Sequence, residues 1–401
     1  MRLLHTADWH LGKRLGPHLR LAEQQAVLEE ICQIAEAQSV DMVVVAGDLF
    51  DNNNPSAEAI ELLYKTLKRL TRNATVPVVA IAGNHDSPDR INMADVLARE
   101  NGIIFIGQPT DTVPIFDLAT GIRLQQSTVG FFEITLPTVP FPIRVLHTAF
   151  ANEVRLKEYF GEDKQTSLQE SLARKWETLA TDYCNADGIN ILTTHLYVLK
   201  QGGEVLEEPE GEKPLNIGNA DALYSHSIPS TVQYAALGHL HRCHDVGIHQ
   251  PVVYSGSPLC YSFSEAGQQK SVSIIEITPG TLVHQTIIPL YSGKPLKRKT
   301  VYSFSEAIEW LEANQNSWVE LTIVSDTFLQ TQERKQLYQT HQGIIHLIPK
   351  VQADAAENTT MKEVNLEQDI DTLFKDYFKS RHNGQEPNDE IIHIFHEIVN
   401  S

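Results

Sequence analysis

Five apolar runs along the chain each stop at a short polar cluster, and their recurrence sets the expected architecture. Met1 to Ala7 reads as a short strand ending at Asp8. The stretch DMVVVAGD at 41–48 is a continuous apolar run of the buried-strand kind, stopped by Gly47-Asp48. Val76 to Ala82 stops at Gly83-Asn84, Ile189–Thr194 delivers His195, and Gln233–Gly238 leads into His239. Between the first three runs, residues 20–38 place Leu21, Val27, Leu28, Ile31, Ile34 and Ala35 at helical spacing, and 56–70 read as a second helix. The order βαβαβ implies strands covered by helices on at least one face. Polar residues just past the C-terminal ends of such strands are where α/β folds usually carry chemistry.

From about residue 103 the runs shorten. Val129–Leu136, Ile143–Thr148, Val252–Ser255 and Ser271–Ile277 read as strands, with 166–183 as a helix. These imply a second sheet, so the expected fold is α/β: a two-sheet core flanked by helices, spanning 1–289. The acidic, Gly/Pro-bearing stretch 201–216 reads as a loop. PLYSGKPLKRKT, at 289–300, reads as a linker with a basic knot at Lys297, Arg298 and Lys299. Ser303–Ala313, Val319–Val324, Leu329–Tyr338 and Ile344–Pro349 then alternate as helix, strand, helix, strand, giving a small α/β unit at 290–352. Residues 351–401 carry 11 acidic and 4 basic side chains. Within 353–401, Leu366–Lys379 and Glu390–Val399 keep amphipathic spacing (Leu366, Ile370, Leu373, Phe374, Tyr377, Phe378; then Ile391, Ile394, Phe395, Ile398). Such helices need an apolar surface, either their own chain or a partner.

Composition narrows the picture. With 401 residues, 42% of them hydrophobic, the chain can bury a large core and a smaller one. The formal charge of -19 argues against a nucleic-acid coat protein, because phosphate contacts need Lys and Arg. It does not exclude a nuclease, since metal ions neutralise carboxylates locally and a partner can supply a basic track. Cys32, Cys184, Cys243 and Cys260 show no C-x-x-C pairing, so a reducing compartment is expected rather than a disulfide framework. No signal-peptide pattern or long apolar span is visible, and a cytoplasmic, non-membrane protein is expected.

The polar clusters carry Asp8 and His10; Asp48; Asn84 and His85; His195; and His239 and His241. Any one is weak, because a D-x-H pair occurs by chance. Five in register point to two adjacent divalent ions. Residues i and i+2 leaving a strand point the same way, which would aim Asp8 with His10, and His239 with His241, at one centre. Two cations about 3.5–4 Å apart need a bridging carboxylate, and Asp48 is placed to be it. Carboxylate, imidazole and amide ligands favour Mn²⁺, with Zn²⁺, Fe²⁺ or Mg²⁺ as alternatives. Cys243 and His244 read as neighbours of the cluster rather than ligands.

The set resembles the calcineurin-like metallophosphoesterases, whose signature is D-x-H, G-D, G-N-H-[DE], H and G-H-x-H. Within them HTADWHLGK, AGDLFD, AGNHDS, LGHLH and YSGSPLCYSFSEAGQQKS (254–271) are similar to the bacterial SbcD family of nuclease subunits. The resemblance covers residues 1 to about 290, with the small following unit in the place of a capping domain. It implies one metal held by Asp8, His10, Asp48 and His241, and a second held by Asp48, Asn84, His195 and His239. It makes His85 the catalytic histidine at the scissile phosphate, with Asp86 supporting it or nearby loops. It further implies a metal-dependent double-strand exonuclease, usually 3′–5′, with single-strand endonuclease and hairpin-opening activity, serving DNA repair, recombination and replication. An SbcC-like ATPase subunit would be the partner, gripped by the C-terminal helices, and the nuclease subunits would form a homodimer. This chain itself has no G-x-x-x-x-G-K-[ST] loop for ATP. Lys13, Arg14, Arg20 and Arg90 are candidate phosphate contacts, and Trp9 a packing residue. The competing readings are a small-molecule or protein phosphoesterase of the same superfamily, and a non-catalytic scaffold. No ligand position of the signature is missing, which disfavours the scaffold.

Overall fold

The computed structural model describes residues 1–159, 164–203, 223–325, 329–351, 370–381, 387, 391–392 and 395–396. The chain divides into two compact units, Met1–Lys350 and Val351–Ser401.

In the first unit, one sheet has six strands in the order His284–Pro289, Ser271–Glu276, Arg2–Thr6, Met42–Ala46, Val78–Ile81 and Ile103–Ile106. The last four run parallel, and the first two pair antiparallel. Met42–Ala46 is buried along its whole length, which is why its sequence MVVVA shows no alternation. Helices Leu21–Ala37 and Ala57–Leu70 set Val27, Leu28, Ile31, Leu63 and Leu67 into the same core. Ala57–Leu70 is framed locally: the Ser56 hydroxyl accepts from the Ala59 amide, and Lys68 and Arg69 occupy the last turn, where the helix dipole favours cations.

The second sheet has eight strands, ordered His244–Asp245, Val252–Tyr254, Tyr234–Gly238, Ile189–His195, Val139–Thr148, Phe131–Leu136, Arg123–Thr128 and Phe116–Asp117. The second to fifth of these run parallel. Alternation splits its side chains between two cores. Ile189, Ile191, Tyr234 and Ala236 join the core of the first sheet, while Leu192, Ala235 and Leu237 meet Leu172 and Trp176 of helix Lys164–Tyr183. A buried histidine ties the two sheets together. His5 Nε2 donates to the Leu237 carbonyl (3.1 Å), and Nδ1 meets the Tyr234 hydroxyl (2.9 Å).

The stretch expected as a linker differs. Leu296–Val301 is a strand, parallel to Trp318–Ser325, with Ile344–Val351 on that strand's far side. Its polar sequence hid it because only Leu296 and Val301 are buried. Arg298 pairs with Glu320 at 2.7 Å and Lys299 with Glu306 at 3.4 Å. Val301, Leu311, Val319, Leu321, Ile323 and Leu337 give this small α/β part its own core. Most of the acidic loop expected at 201–216 lies outside the described residues.

In the second unit, helix Ile370–Arg381 places Phe374 in a stack on Phe395, ring centroids 4.0 Å apart. His396 bonds Asp371 at 2.8 Å, so the described parts of the two amphipathic pieces meet each other. Leu366, Ile394 and Ile398 lie outside the described residues. No helix among the described residues is long and apolar enough to cross a membrane.

Candidate active site

All the signature residues gather where the parallel strands of both sheets end. The aiming differs from strand alternation: the first strand stops at Thr6. Asp8 (φ 55°), His10 (φ 44°), Asp48 (φ 48°) and His239 (φ 107°) then adopt positive φ. That conformation is uncommon for residues with a Cβ. Backbone bonds hold it, from the Asp8 amide to the Gly47 carbonyl (3.0 Å) and from the His10 amide to the Asp48 carbonyl (2.9 Å). Two motif glycines let the loops approach: a Cβ on Gly83 would strike the Asp48 carboxylate, and one on Gly238 the Ala46 carbonyl.

The hydrogen-bond chemistry calls for positive charge. His195 Nδ1 faces the Ala46 carbonyl at 2.9 Å, an acceptor, so Nδ1 carries the proton. Nε2 then turns its lone pair toward Asn84 Oδ1 at 3.0 Å and Asp48 Oδ2 at 3.3 Å. Three acceptors converge, and a cation or a second ring proton relieves all of them at once. Burial opposes that second proton, yet the Asp48 and Asp8 carboxylates push His195 up to about 9. On the other side, His10 Nε2 lies 3.5 Å from the same Asp48 oxygen and 3.0 Å from His241 Nε2. Burial would raise Asp48 too, but His195 and His10 hold it well below the usual carboxylate range.

Asp8 completes both groups. Asp8, His10 and His241 offer ligand atoms within 4.8 Å of one another, as do Asp8, Asp48 and His195. Asp8 Oδ1 accepts from the His239 amide at 2.8 Å, whereas its buried Oδ2 has no partner among the described residues. Burial pushes Asp8 up to about 7, against the pull of His195 and His241. The His239 ring lies 5.6 Å from that of His195. Oxygen and imidazole donors without a thiolate fit divalent cations. Cys243 and His244 belong to none of these groups.

His85 sits beside them. Its amide donates to Asp48 Oδ1 at 3.0 Å, its Nδ1 to the Asp51 carbonyl at 2.7 Å, and its ring stands edge-on to His10 at 4.9 Å. The Asp86 carboxylate accepts from the amides of Gly83 (2.8 Å), Leu49 (3.0 Å) and Phe50 (2.9 Å), joining two motif loops.

Three contributors escaped the sequence reading. Arg155 donates to the carbonyls of Gly83 (3.0 Å) and Asp86 (2.9 Å), gripping the same loop from the other half of the unit. Asp51 forms a further group with His10 and His85 and pairs with Lys13 at 3.1 Å. Glu265, inside the SFSEAG string, reaches His241 Nδ1 at 3.2 Å. Burial would raise Glu265, but His241 and Lys270 hold it well below the usual range. Only the string itself could have flagged Glu265, and no metal-type spacing marks it.

A cleft of ≈ 620 Å³ opens at His85, lined by Lys13, Arg14, Asp51, Tyr261 and His346 among others. Of the candidate phosphate contacts, Lys13 and Arg14 border it. Arg90 bonds Asn54 at 3.1 Å. Arg20 is buried and committed to Glu23 at 2.9 Å and to the Cys260 carbonyl, so it is unavailable to a phosphate. Trp9 is fully buried, with Nε1 donating to Thr6 Oγ1 at 3.0 Å, and packs the loop.

The model of the calcineurin-like phosphoesterase family matches residues 1–243. The SbcD component of the SbcCD nuclease of Bacillus subtilis is 36% identical, over 100% of this chain and 98% of that protein. Its counterpart in Staphylococcus epidermidis is 31% identical, over 100% and 99%. A dimetal phosphatase from Danio rerio aligns with 73% of this chain and 99% of its own at 11% identity and a TM-score of 0.41.

Proposed function

Because this chain belongs to the calcineurin-like phosphoesterase family and is a phosphodiester hydrolase of the nuclease kind, we propose that it cleaves DNA at a two-ion site. The observation that carries this reading is Asp48 Oδ2, which lies 3.5 Å from His10 Nε2 and 3.3 Å from His195 Nε2. One carboxylate oxygen thus faces both imidazole groups, which places Asp48 where a carboxylate shared by two cations would sit. Asp8, His10, Asp48 and His241 would hold one ion, and Asp48, Asn84, His195 and His239 the other. Mn²⁺ is the preferred ion, given the mixed oxygen and nitrogen donors. When bound, the ions supply Lewis-acid polarisation of the phosphate and activation of water.

The protein's own groups do the rest. His85 keeps its Nδ1–H on the Asp51 carbonyl and, as the imidazolium, carries a second proton on Nε2. It contacts the scissile phosphate and gives that Nε2 proton to the leaving oxygen, returning to the neutral ring. Asp86 and Arg155 hold the loop that carries His85, acting on position rather than on substrate. Burial of Asp8, His10, His195, His239 and His241 keeps bulk water from competing for these groups.

The full-length relatives support the nuclease class. DNA as substrate, the 3′–5′ double-strand exonuclease, single-strand endonuclease and hairpin-opening activities, and a role in repair and recombination are carried over from the resemblance of the motif strings to the SbcD family. An SbcC-like ATPase would bind the helices of 353–401, the part at 290–352 would cap the site, and two copies of this chain would pair. Linear and hairpin DNA, incubated with Mn²⁺ with and without the ATPase, tests the reading. The wild-type complex should cut both, and His85→Ala should lose at least about 100-fold while retaining both ions. Intact DNA alongside hydrolysis of a small phosphodiester would refute the DNA assignment.

A further inference from the structure

We infer that Glu265 is a positioning residue for His241, and that the short turn carrying it couples this side chain to the small α/β part at 296–351. The inference rests on the reading of His241 as a metal ligand.

Glu265 closes the turn Phe263–Glu265 and is only 3% exposed. Its Oε1 accepts from His241 Nδ1 at 3.2 Å and from the Tyr261 and Ser262 amides at 3.1 Å each. Its Oε2 faces Lys270 Nζ and accepts from Ser257 Oγ at 3.4 Å. Lys270 Nζ returns to the His241 carbonyl at 2.8 Å. One Glu–Lys pair therefore fixes His241 at both ring and backbone. Since a carboxylate only accepts, Nδ1 carries the proton, and Nε2 is the atom presented to the ion. A carboxylate behind a ligating histidine fixes its tautomer and raises its basicity.

The same turn reaches the other way. Phe263 is buried with Leu15, Leu296 and Trp318, and its ring lies 5.4 Å from that of His346. A three-residue turn has little slack, so displacement of the small part moves Glu265. Coupling of this kind is reciprocal: ion binding at His241 should favour the seated position of Phe263.

Titration of the full chain with Co²⁺ alone, followed by visible absorption, tests this. The wild type should show two binding steps. Glu265→Gln should weaken one step about 10- to 100-fold and shift its absorption band, sparing the other. Phe263→Ala should weaken the same step several-fold, whereas Leu172→Ala, in the helix Lys164–Tyr183 packed on the second sheet, should change neither. Wild-type affinities and bands in Glu265→Gln overturn the positioning role. An unaltered step in Phe263→Ala overturns the coupling. Absence of Co²⁺ binding by the wild type refutes instead the ligand reading beneath it. If Glu265→Gln fails to fold, Lys270→Met carries the same expectation, and unchanged affinity there overturns it.

Discussion

At the scale of single residues, the site is organised by carboxylates with unlike tasks. Asp48 faces two imidazole groups, Asp8 keeps a buried oxygen unpartnered among the described residues, and Asp86 receives three amides. Asp86→Ala would leave those amides of Gly83, Leu49 and Phe50 buried without an acceptor. Each such loss costs about 1–3 kcal/mol, so the variant should be destabilised by roughly 3 kcal/mol or more in denaturant unfolding. Stability equal to the wild type would show that the two loops do not depend on it. Asp8, His10, Asp48, His195 and His241, which the structure gathers into two candidate ion groups, were singled out in the sequence because they follow apolar runs and carry metal-capable chemistry. Arg155, Asp51 and Glu265 were not. They act through distances of 2.7 to 3.2 Å that only the folded chain creates, and each is an ordinary surface-type residue in sequence.

At the scale of elements, the buried strands that carry the site were legible from their apolar runs, and the long helices Leu21–Ala37, Ala57–Leu70 and Lys164–Tyr183 from their periodicity. The short helices Pro88–Asn92, Asp95–Glu100 and Glu153–Leu156 were not legible. The strand Leu296–Val301 was not, because an edge strand with two buried residues needs almost no apolar pattern. Nor was the positive φ of Asp8 and His10, since a D-x-H spacing reads equally as strand continuation. Burial at strand positions also has a cost. His5 and His147 lie wholly inside the protein, and burial pushes each down to about 3. Unfolded, each takes up its proton near pH 6.5. Between about 6.5 and 3, the unfolded chain therefore binds protons that the folded chain refuses, and stability falls as pH falls. The slope is at most about 1.4 kcal/mol per pH unit for each group. Replacing His147, whose ring nitrogens have no partner among the described residues, with Phe should flatten this dependence. Urea midpoints of wild type and His147→Phe between pH 7 and about 5 should diverge on that account. Parallel curves would contradict it.

At the scale of the whole molecule, an excess of 51 acidic over 32 basic side chains is unexpected in a nuclease until its placement is considered. Several carboxylates are turned inward at the ends of the parallel strands, where the proposed cations would satisfy them. Lys13 and Arg14 border the cleft that opens at His85. The two-sheet plan suits a shared site: each sheet delivers part of the proposed ligand set, and neither holds all of it alone. Asp48, from the first sheet, is the point at which the two contributions meet. Ion stoichiometry therefore tests the account most directly. Purified wild-type chain, dialysed against Mn²⁺ and analysed for metal content, should hold two ions, and Asp48→Ala should fall below one while remaining folded. Two ions retained by Asp48→Ala, or a single ion in the wild type, would contradict the shared-carboxylate site.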